Sequence, residues 1–320
     1  MKIIVFIIAS LLAISSNGQT TRVKVSLQGL KSIEGLFLWE SNRLYKVPRN
    51  KTVDIPVDNL PTILYLATNR RGKIKVQRLL WVETNEISLS GSLPNQIMLS
   101  PLAKEQSMAD AVLVSKGKVD QDSELFVSRP YIVYLSRELS RHDEDSLQVL
   151  LNKIPGETKS FWATKKIEEY LNQLQSVGFN TTTNQFKYLV AKNKKNEEQE
   201  FRHNSHKLLL VDFSASVCLP CIKDIKKLRQ LNNKYGKQVE LLSLWDDPKH
   251  ELWLNVASKQ KKMINWTSLR DETGAIFKAF NIKEYPTYML FDPTGKHIKT
   301  FIGANHNLER SIKQYLKITF

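Results

Sequence analysis

Leu208-Leu209-Leu210-Val211-Asp212-Phe213-Ser214-Ala215-Ser216-Val217-Cys218-Leu219-Pro220-Cys221-Ile222-Lys223 is the stretch on which the reading of this 320-residue chain turns. It opens with a continuous apolar run, Leu208 to Val211. Such a run suits a central strand buried on both faces, as in a parallel sheet. Ser214, Ala215 and Ser216 are small and turn the chain out of the sheet. After Cys221, Ile222, Ile225, Leu228, Leu231 and Tyr235 fall at helical spacing. The two cysteines therefore sit where a strand ends and a helix begins.

A helix N-terminus carries unpaired N–H groups and the positive end of the dipole, and both favour a thiolate. Pro220 is tolerated in a first helical turn, where its missing N–H costs nothing. Cys218 is expected to attack a disulfide and Cys221, one turn in, to resolve the mixed disulfide. Asp212 ends the buried strand, six residues before Cys218. A carboxylate there would be desolvated, with its pKa raised, and would handle the proton of the resolving thiol. A solvated or helix-capping Asp is the alternative.

Val211 to Cys221 resembles the active-site segment of the thioredoxin superfamily, and more narrowly that of the exported TlpA/ResA-like thiol-disulfide oxidoreductases. A second stretch, Glu284-Tyr285-Pro286-Thr287-Tyr288-Met289-Leu290-Phe291-Asp292-Pro293-Thr294-Gly295-Lys296, resembles the proline-and-strand motif of the same family. The resemblance implies a cis-Pro at Pro286 facing the cysteines, with Tyr285 beside it on the substrate backbone. It also puts Leu219 and Pro220 against substrate. An ordinary trans proline at a strand start is the other reading of Pro286. The resemblance covers roughly the last 140 residues. Three departures stand out: Ser214 or Val217 replaces the usual Trp, Leu219-Pro220 replaces Gly-Pro, and Lys226 replaces a helix-kinking Pro. They bear on redox potential and partner choice.

Outward from this core, Val177 begins the thioredoxin-like region, 177–320. Phe186–Val190 and a strand near Glu200-Phe201 flank a polar hairpin turn at Asn193–Asn196. Val239–Trp245 reads as another buried strand, Glu251–Lys261 as a helix and Ala275–Phe280 as a short helix. Asp292–Gly295 is a type I turn joining Thr287–Phe291 to Ile298–Ile302, and Leu308, Ile312 and Leu316 mark a closing helix. Residues 101–176 switch to helical spacing over Tyr131–Ile154 and Lys159–Gln175, divided by Pro155-Gly156. They read as a connector, with Arg137, Arg141 and His142 on a solvated face. Residues 19–100 alternate in short runs: Arg22–Leu27, Thr52–Ile55, Ile63–Leu66, Ile74–Val82 and Glu86–Gly91. Turn residues separate them, which suggests a small sandwich serving as a structural or docking domain. Met1–Gly18 has a Lys2 n-region, an apolar core and small residues before Gln19, and reads as a secretory signal. An uncleaved anchor is the alternative. The expected fold class is thus an α/β thioredoxin-like C-terminal domain preceded by an all-β sandwich-like domain and a helical connector.

Two cysteines in 320 residues cannot form a stapling framework. The net charge of +15 is spread over the whole chain without an aromatic-interleaved basic stripe, so nucleic acid is not implied. His203 and His206 with Cys218 and Cys221 offer a four-ligand zinc alternative. His250, His297 and His306 are scattered. A peroxidase would need Thr or Ser where Ala215 stands. The sequence therefore reads as an exported thiol-disulfide oxidoreductase, periplasmic if the source is Gram-negative. Cys218, Cys221 and Asp212 are catalytic in this reading, and no cofactor and no metal is called for. Its partners would be exported protein disulfides or thiols and an upstream redox protein, without nucleic acid and without a stable membrane span. The competing reading is a binding protein with a structural CxxC disulfide.

Overall fold

The computed structural model describes residues 19–28, 34–40, 43–47, 52–70, 73–92, 96–204, 206–247, 249–259, 264–304 and 307–319. The signal expected over 1–18 lies outside these residues. The chain divides into two compact units, the first ending at Arg137 and the second beginning at Glu138.

The first unit contains β1 (Gln19–Gln28), β2 (Glu34–Glu40), β3 (Arg43–Lys46), β4 (Thr52–Val57), β5 (Thr62–Arg70), β6 (Lys73–Val82), β7 (Glu86–Ser92) and β8 (Gln96–Ser100), then helices α1 (Gln106–Ser115) and α2 (Arg129–Ser136). The strands form two four-stranded sheets, ordered β4-β1-β7-β8 and β3-β2-β5-β6. Alternation does what it should: in β4, Ile55 and Val57 are buried while Thr52, Asp54 and Pro56 are exposed. Val23, Ile55, Ile87 and Leu89 of one sheet share a core with Leu38, Leu64, Leu66 and Leu80 of the other, which makes a sandwich. The edge strand β6 is protected by α1. Buried Gln106 donates Nε2–H to the Leu79 carbonyl at 2.7 Å and accepts the Trp81 N–H at 2.9 Å.

The helical segment 101–176 is divided between the units, α1 and α2 with the first and α3 (Glu144–Lys153) and α4 (Trp162–Gln175) with the second. The single helix expected over Tyr131–Ile154 is in fact two. A break follows α2, and Asp143 starts α3 as its N-cap, accepting the Ser146 N–H at 2.8 Å. The cap outweighs the continuing apolar spacing.

The rest of the second unit comprises β9 (Phe179–Asn180), β10 (Gln185–Phe186), β11 (Tyr188–Lys192), β12 (Glu198–Arg202), β13 (Leu208–Ser214), α5 (Leu219–Tyr235), β14 (Val239–Asp246), α6 (His250–Lys259), β15 (Thr267–Asp271), α7 (Ala275–Ala279), β16 (Thr287–Phe291), β17 (His297–Ile302) and α8 (Leu308–Thr319). A seven-stranded sheet runs β12-β11-β15-β14-β13-β16-β17. The strands β13, β14 and β15 are parallel, and β16 runs antiparallel to β13. Every residue of β13 is buried, as its apolar run requires. Its odd-numbered side chains, Leu209, Val211 and Phe213, pack with Phe277 and Phe280 on one face. Leu208 and Leu210 pack with Leu228 of α5 and Ile312 of α8 on the other. Among the described residues no helix is long and apolar enough to cross a membrane.

Phe280 is the hub of the first face, with ring centroids 4.3 Å from Phe179, 5.1 Å from Phe213 and 5.7 Å from Phe186. Phe280→Ala is expected to cost about 3–5 kcal/mol in urea unfolding. A loss below about 1 kcal/mol would mean the face repacks without it.

Candidate functional site

Cys218 is the N-cap of α5, and its Sγ accepts the N–H of Cys221 at 3.2 Å. The Cys218 N–H in turn donates to the Ala215 carbonyl at 3.0 Å, which closes the turn out of β13. The two sulfurs are bonded to each other, S–S 2.04 Å, with their Cα atoms 5.3 Å apart. Their surroundings differ. Cys221 is 2% exposed, whereas Cys218 is half-buried between the exposed side chains of Val217 and Leu219. Of the two, Cys218 is the more accessible.

Asp212 shares its side of β13 with Leu208 and Leu210, the side that packs against α5. It is 2% exposed. Each carboxylate oxygen accepts one hydroxyl, from Ser214 at 2.7 Å and from Ser243 at 2.7 Å. Ser243 is its register partner on β14 and accepts the Trp266 indole N–H at 2.9 Å. Burial pushes the Asp212 carboxyl up to about 6; the two serine hydroxyls pull it down less than burial raises it, and the Asp224 charge adds to the rise. Asp224 lies one turn beyond Cys221 and is itself buried. It accepts the Tyr288 hydroxyl at 2.9 Å and pairs with Lys227 at 2.7 Å.

Strand register brings the proline motif to the same end of the sheet. Phe213 is opposite Thr287, so Pro286 lies one step on, level with the chain as it leaves β13. The Tyr285–Pro286 peptide is cis. Pro286 is buried, and its carbonyl accepts the Gly303 N–H at 2.8 Å. Tyr285 is 37% exposed, its ring set edge-on to Phe277 and its hydroxyl donating to Asp246. Leu219 and Pro220 are exposed at the start of α5. Cys218, Cys221, Asp212, Tyr285, Pro286, Leu219 and Pro220 thus lie toward one end of the sheet, where β13 ends and β16 begins.

The histidines of the zinc alternative are not gathered there. His203 Nε2 is 2.9 Å from the Asp292 carbonyl and its other nitrogen is near Glu240, while both cysteines are spent on each other. Among the described residues no group of His, Cys, Asp and Glu side chains is arranged to hold a metal ion.

Sequence reasoning missed Ser243, Ser216, Asp247 and Asp224. Ser214 was legible in principle, two residues from Asp212 and so on its face. Ser243 needed the β13–β14 register, which the sequence does not display.

Residues 204–297 match the family described as thioredoxin-like. The C-terminal domain is thioredoxin-like. Solved structures similar to the chain include a thiol-disulfide oxidoreductase from Bacteroides fragilis, 27% identical over 40% of this chain and 96% of that one, TM-score 0.36. The thioredoxin domain of a thiol-disulfide oxidoreductase from Bacteroides vulgatus is 18% identical over 40% and 92% of the two chains, TM-score 0.36. The pneumococcal exposed lipoprotein thioredoxin from Streptococcus pneumoniae is 17% identical over 40% and 98%, TM-score 0.36.

The folded thioredoxin-like domain holds the Asp212 proton more tightly than the unfolded chain does. Stability from this group is therefore full below about pH 4 and is lost as pH rises through about 6, a change of about 3 kcal/mol. Asp212→Asn is expected to gain stability over the native chain at pH 7 and to lose that advantage at pH 4. Urea unfolding of the oxidised proteins at the two pH values measures it. An equal difference at both would deny the buried carboxylate its high proton affinity.

Proposed function

We propose that the chain is an extracytoplasmic thiol-disulfide oxidoreductase acting on disulfides or thiols of exported proteins. The observation that carries the reading is the asymmetry of the pair. One sulfur is half-buried at a helix N-terminus, the other is buried, and an ionisable carboxylate sits on the sheet face beneath that helix.

In the reducing direction, the Cys218 thiolate attacks one sulfur of a substrate disulfide. The substrate S–S bond breaks, a Cys218–substrate disulfide forms, and the other substrate sulfur leaves as a thiolate and takes a proton from water. Cys221 then gives its proton to Asp212 and attacks Cys218 Sγ. The mixed disulfide breaks, the second substrate sulfur leaves as a thiolate and takes up the proton released from Asp212, and Cys218–Cys221 closes. The substrate gains two electrons and two protons, and a dithiol protein upstream restores the reduced pair. With its carboxyl at about 6, Asp212 is mostly ionised at pH 7 and ready to accept. Tyr285, Pro286, Leu219 and Pro220 are the proposed substrate contacts: Leu219 and Pro220 are exposed directly after Cys218, and Tyr285–Pro286 precedes the Thr287–Phe213 pair at the same end of the sheet. The extracytoplasmic assignment rests on the secretory pattern of residues 1–18.

Cys218→Ser is expected to bring reduction of a model peptide disulfide to background. Cys221→Ser is expected to accumulate a mixed disulfide through Cys218, visible on a non-reducing gel and by mass. Undiminished exchange by Cys218→Ser would favour the reading as a binding protein with a structural disulfide. Asp212→Asn should slow closure of the mixed disulfide at pH 7 by about 10²–10⁴-fold. An unchanged closure rate and pH profile would remove Asp212 from the mechanism.

A further inference from the structure

A second buried carboxylate touches the active-site turn, and the steps above do not use it. Asp247, directly after β14, is 2% exposed. Both its oxygens engage Ser216. The Ser216 N–H is 3.1 Å from Oδ2 and 3.3 Å from Oδ1, and the Ser216 hydroxyl donates to Oδ1 at 2.5 Å. Ser216 is two residues before Cys218. The main chain of Asp247 is held as well: its N–H donates to the Trp245 carbonyl at 3.1 Å, and its carbonyl accepts from Arg270 Nη1 at 2.9 Å.

Three charged or polar neighbours face Asp247. Ser216 comes from the turn and is neutral. Asp246 comes from its own strand end and carries the Tyr285 hydroxyl. Arg270 comes from β15, but its guanidinium is divided among the Asp247 carbonyl, Asn196 Oδ1 at 2.6 Å and Glu272 at 3.2 Å. The donors on the carboxylate in the turn are therefore both neutral, and neither cancels its charge. Burial pushes the Asp247 carboxyl up to about 6, so it is still mostly ionised at pH 7. A like charge hydrogen-bonded to Ser216, two residues before Cys218, disfavours a thiolate forming in the same turn, on the order of tenfold at an intermediate effective dielectric.

We propose that Asp247 is a positioning residue: held by Ser216, it fixes a negative charge on the turn that carries the attacking sulfur, makes the Cys218 thiolate costlier and so poises the pair to give electrons rather than take them. This rests on the oxidoreductase reading and adds to it a direction. A dithiol whose thiolate is less favoured is more readily converted to disulfide, so the substrate is a protein disulfide and the donor upstream a protein dithiol.

The test uses the full chain. In a Cys221→Ser background Cys218 is the sole thiol, and its rate of alkylation by iodoacetamide against pH reads its acidity alone. Adding Asp247→Asn should give on the order of tenfold more thiolate at a pH below the thiol pKa. In the chain with both cysteines, Asp247→Asn should shift the equilibrium with a glutathione buffer tenfold toward the dithiol, about 30 mV more oxidising. Asp247→Glu keeps the charge and should leave both readings near the native values. If Asp247→Asn does not fold, Ser216→Ala serves: stripped of one donor, the carboxylate holds its proton more tightly, and thiol acidity should move the same way by a smaller factor. Unchanged acidity and potential in Asp247→Asn, a Glu variant that moves as far as Asn, or a Ser216→Ala shift that is absent or opposite would overturn the proposal. If Cys218→Ser exchanges normally, the underlying reading fails instead.

Discussion

The seating of one helix on one buried strand governs the rest of the second unit. β13 is buried along its whole length between β14 and β16, and the chain leaves it at its C-terminal end, through Ala215–Val217. α5 starts there and lays Leu228 back over Leu208 and Leu210. That packing fixes which cysteine faces outward. It also places Asp212 on the sheet face under the helix rather than on the far face with Phe213. Shifting β13 by one residue would move Asp212 off the face that α5 covers and put an aromatic ring in its place.

The cost of the arrangement lies in its carboxylates. Asp212, Asp247 and Asp271 are all almost wholly shielded from water, and each has its carboxyl pushed up to about 6. Each is kept by dedicated donors: hydroxyls on Asp212, Ser216 on Asp247, and the main-chain N–H groups of Gly274, Ile276 and Phe277 on Asp271. Asp271 holds the start of α7 and so is explained by the fold. Asp212 and Asp247 instead bracket the strand-to-helix turn that carries the cysteines. A fold that needed only stability would place apolar groups there.

How much of this could be read from residue order depends on sequence separation. The strand, turn and helix from Leu208 to Tyr235 are contiguous, so the apolar run and helical spacing display them directly. The proline motif is remote but internally ordered, and Tyr285–Pro286 falls beside the turn because β16 pairs with β13. The contacts from Ser243 to Asp212 and from Asp247 to Ser216 each span 31 residues and depend on a parallel register, which leaves no local mark. The division of the helical segment was hidden for a different reason: apolar spacing from Tyr131 to Ile154 runs on across a break that holds a short 3-10 turn, Leu139–Arg141, and ends at the Asp143 cap. Aromatic cover for α5 was also hidden. Trp245 and Trp253 pack against Ile225 from β14 and α6, so Trp near the cysteines in the chain is not needed for that role.

Limited alkylation of the reduced chain tests the central claim most directly. With the disulfide opened and iodoacetamide supplied below one equivalent, peptide mass analysis reports which sulfur reacts. The account predicts carbamidomethylation at Cys218, with Cys221 protected until the chain is denatured. Equal labelling of the two, or labelling of Cys221 first, would contradict it.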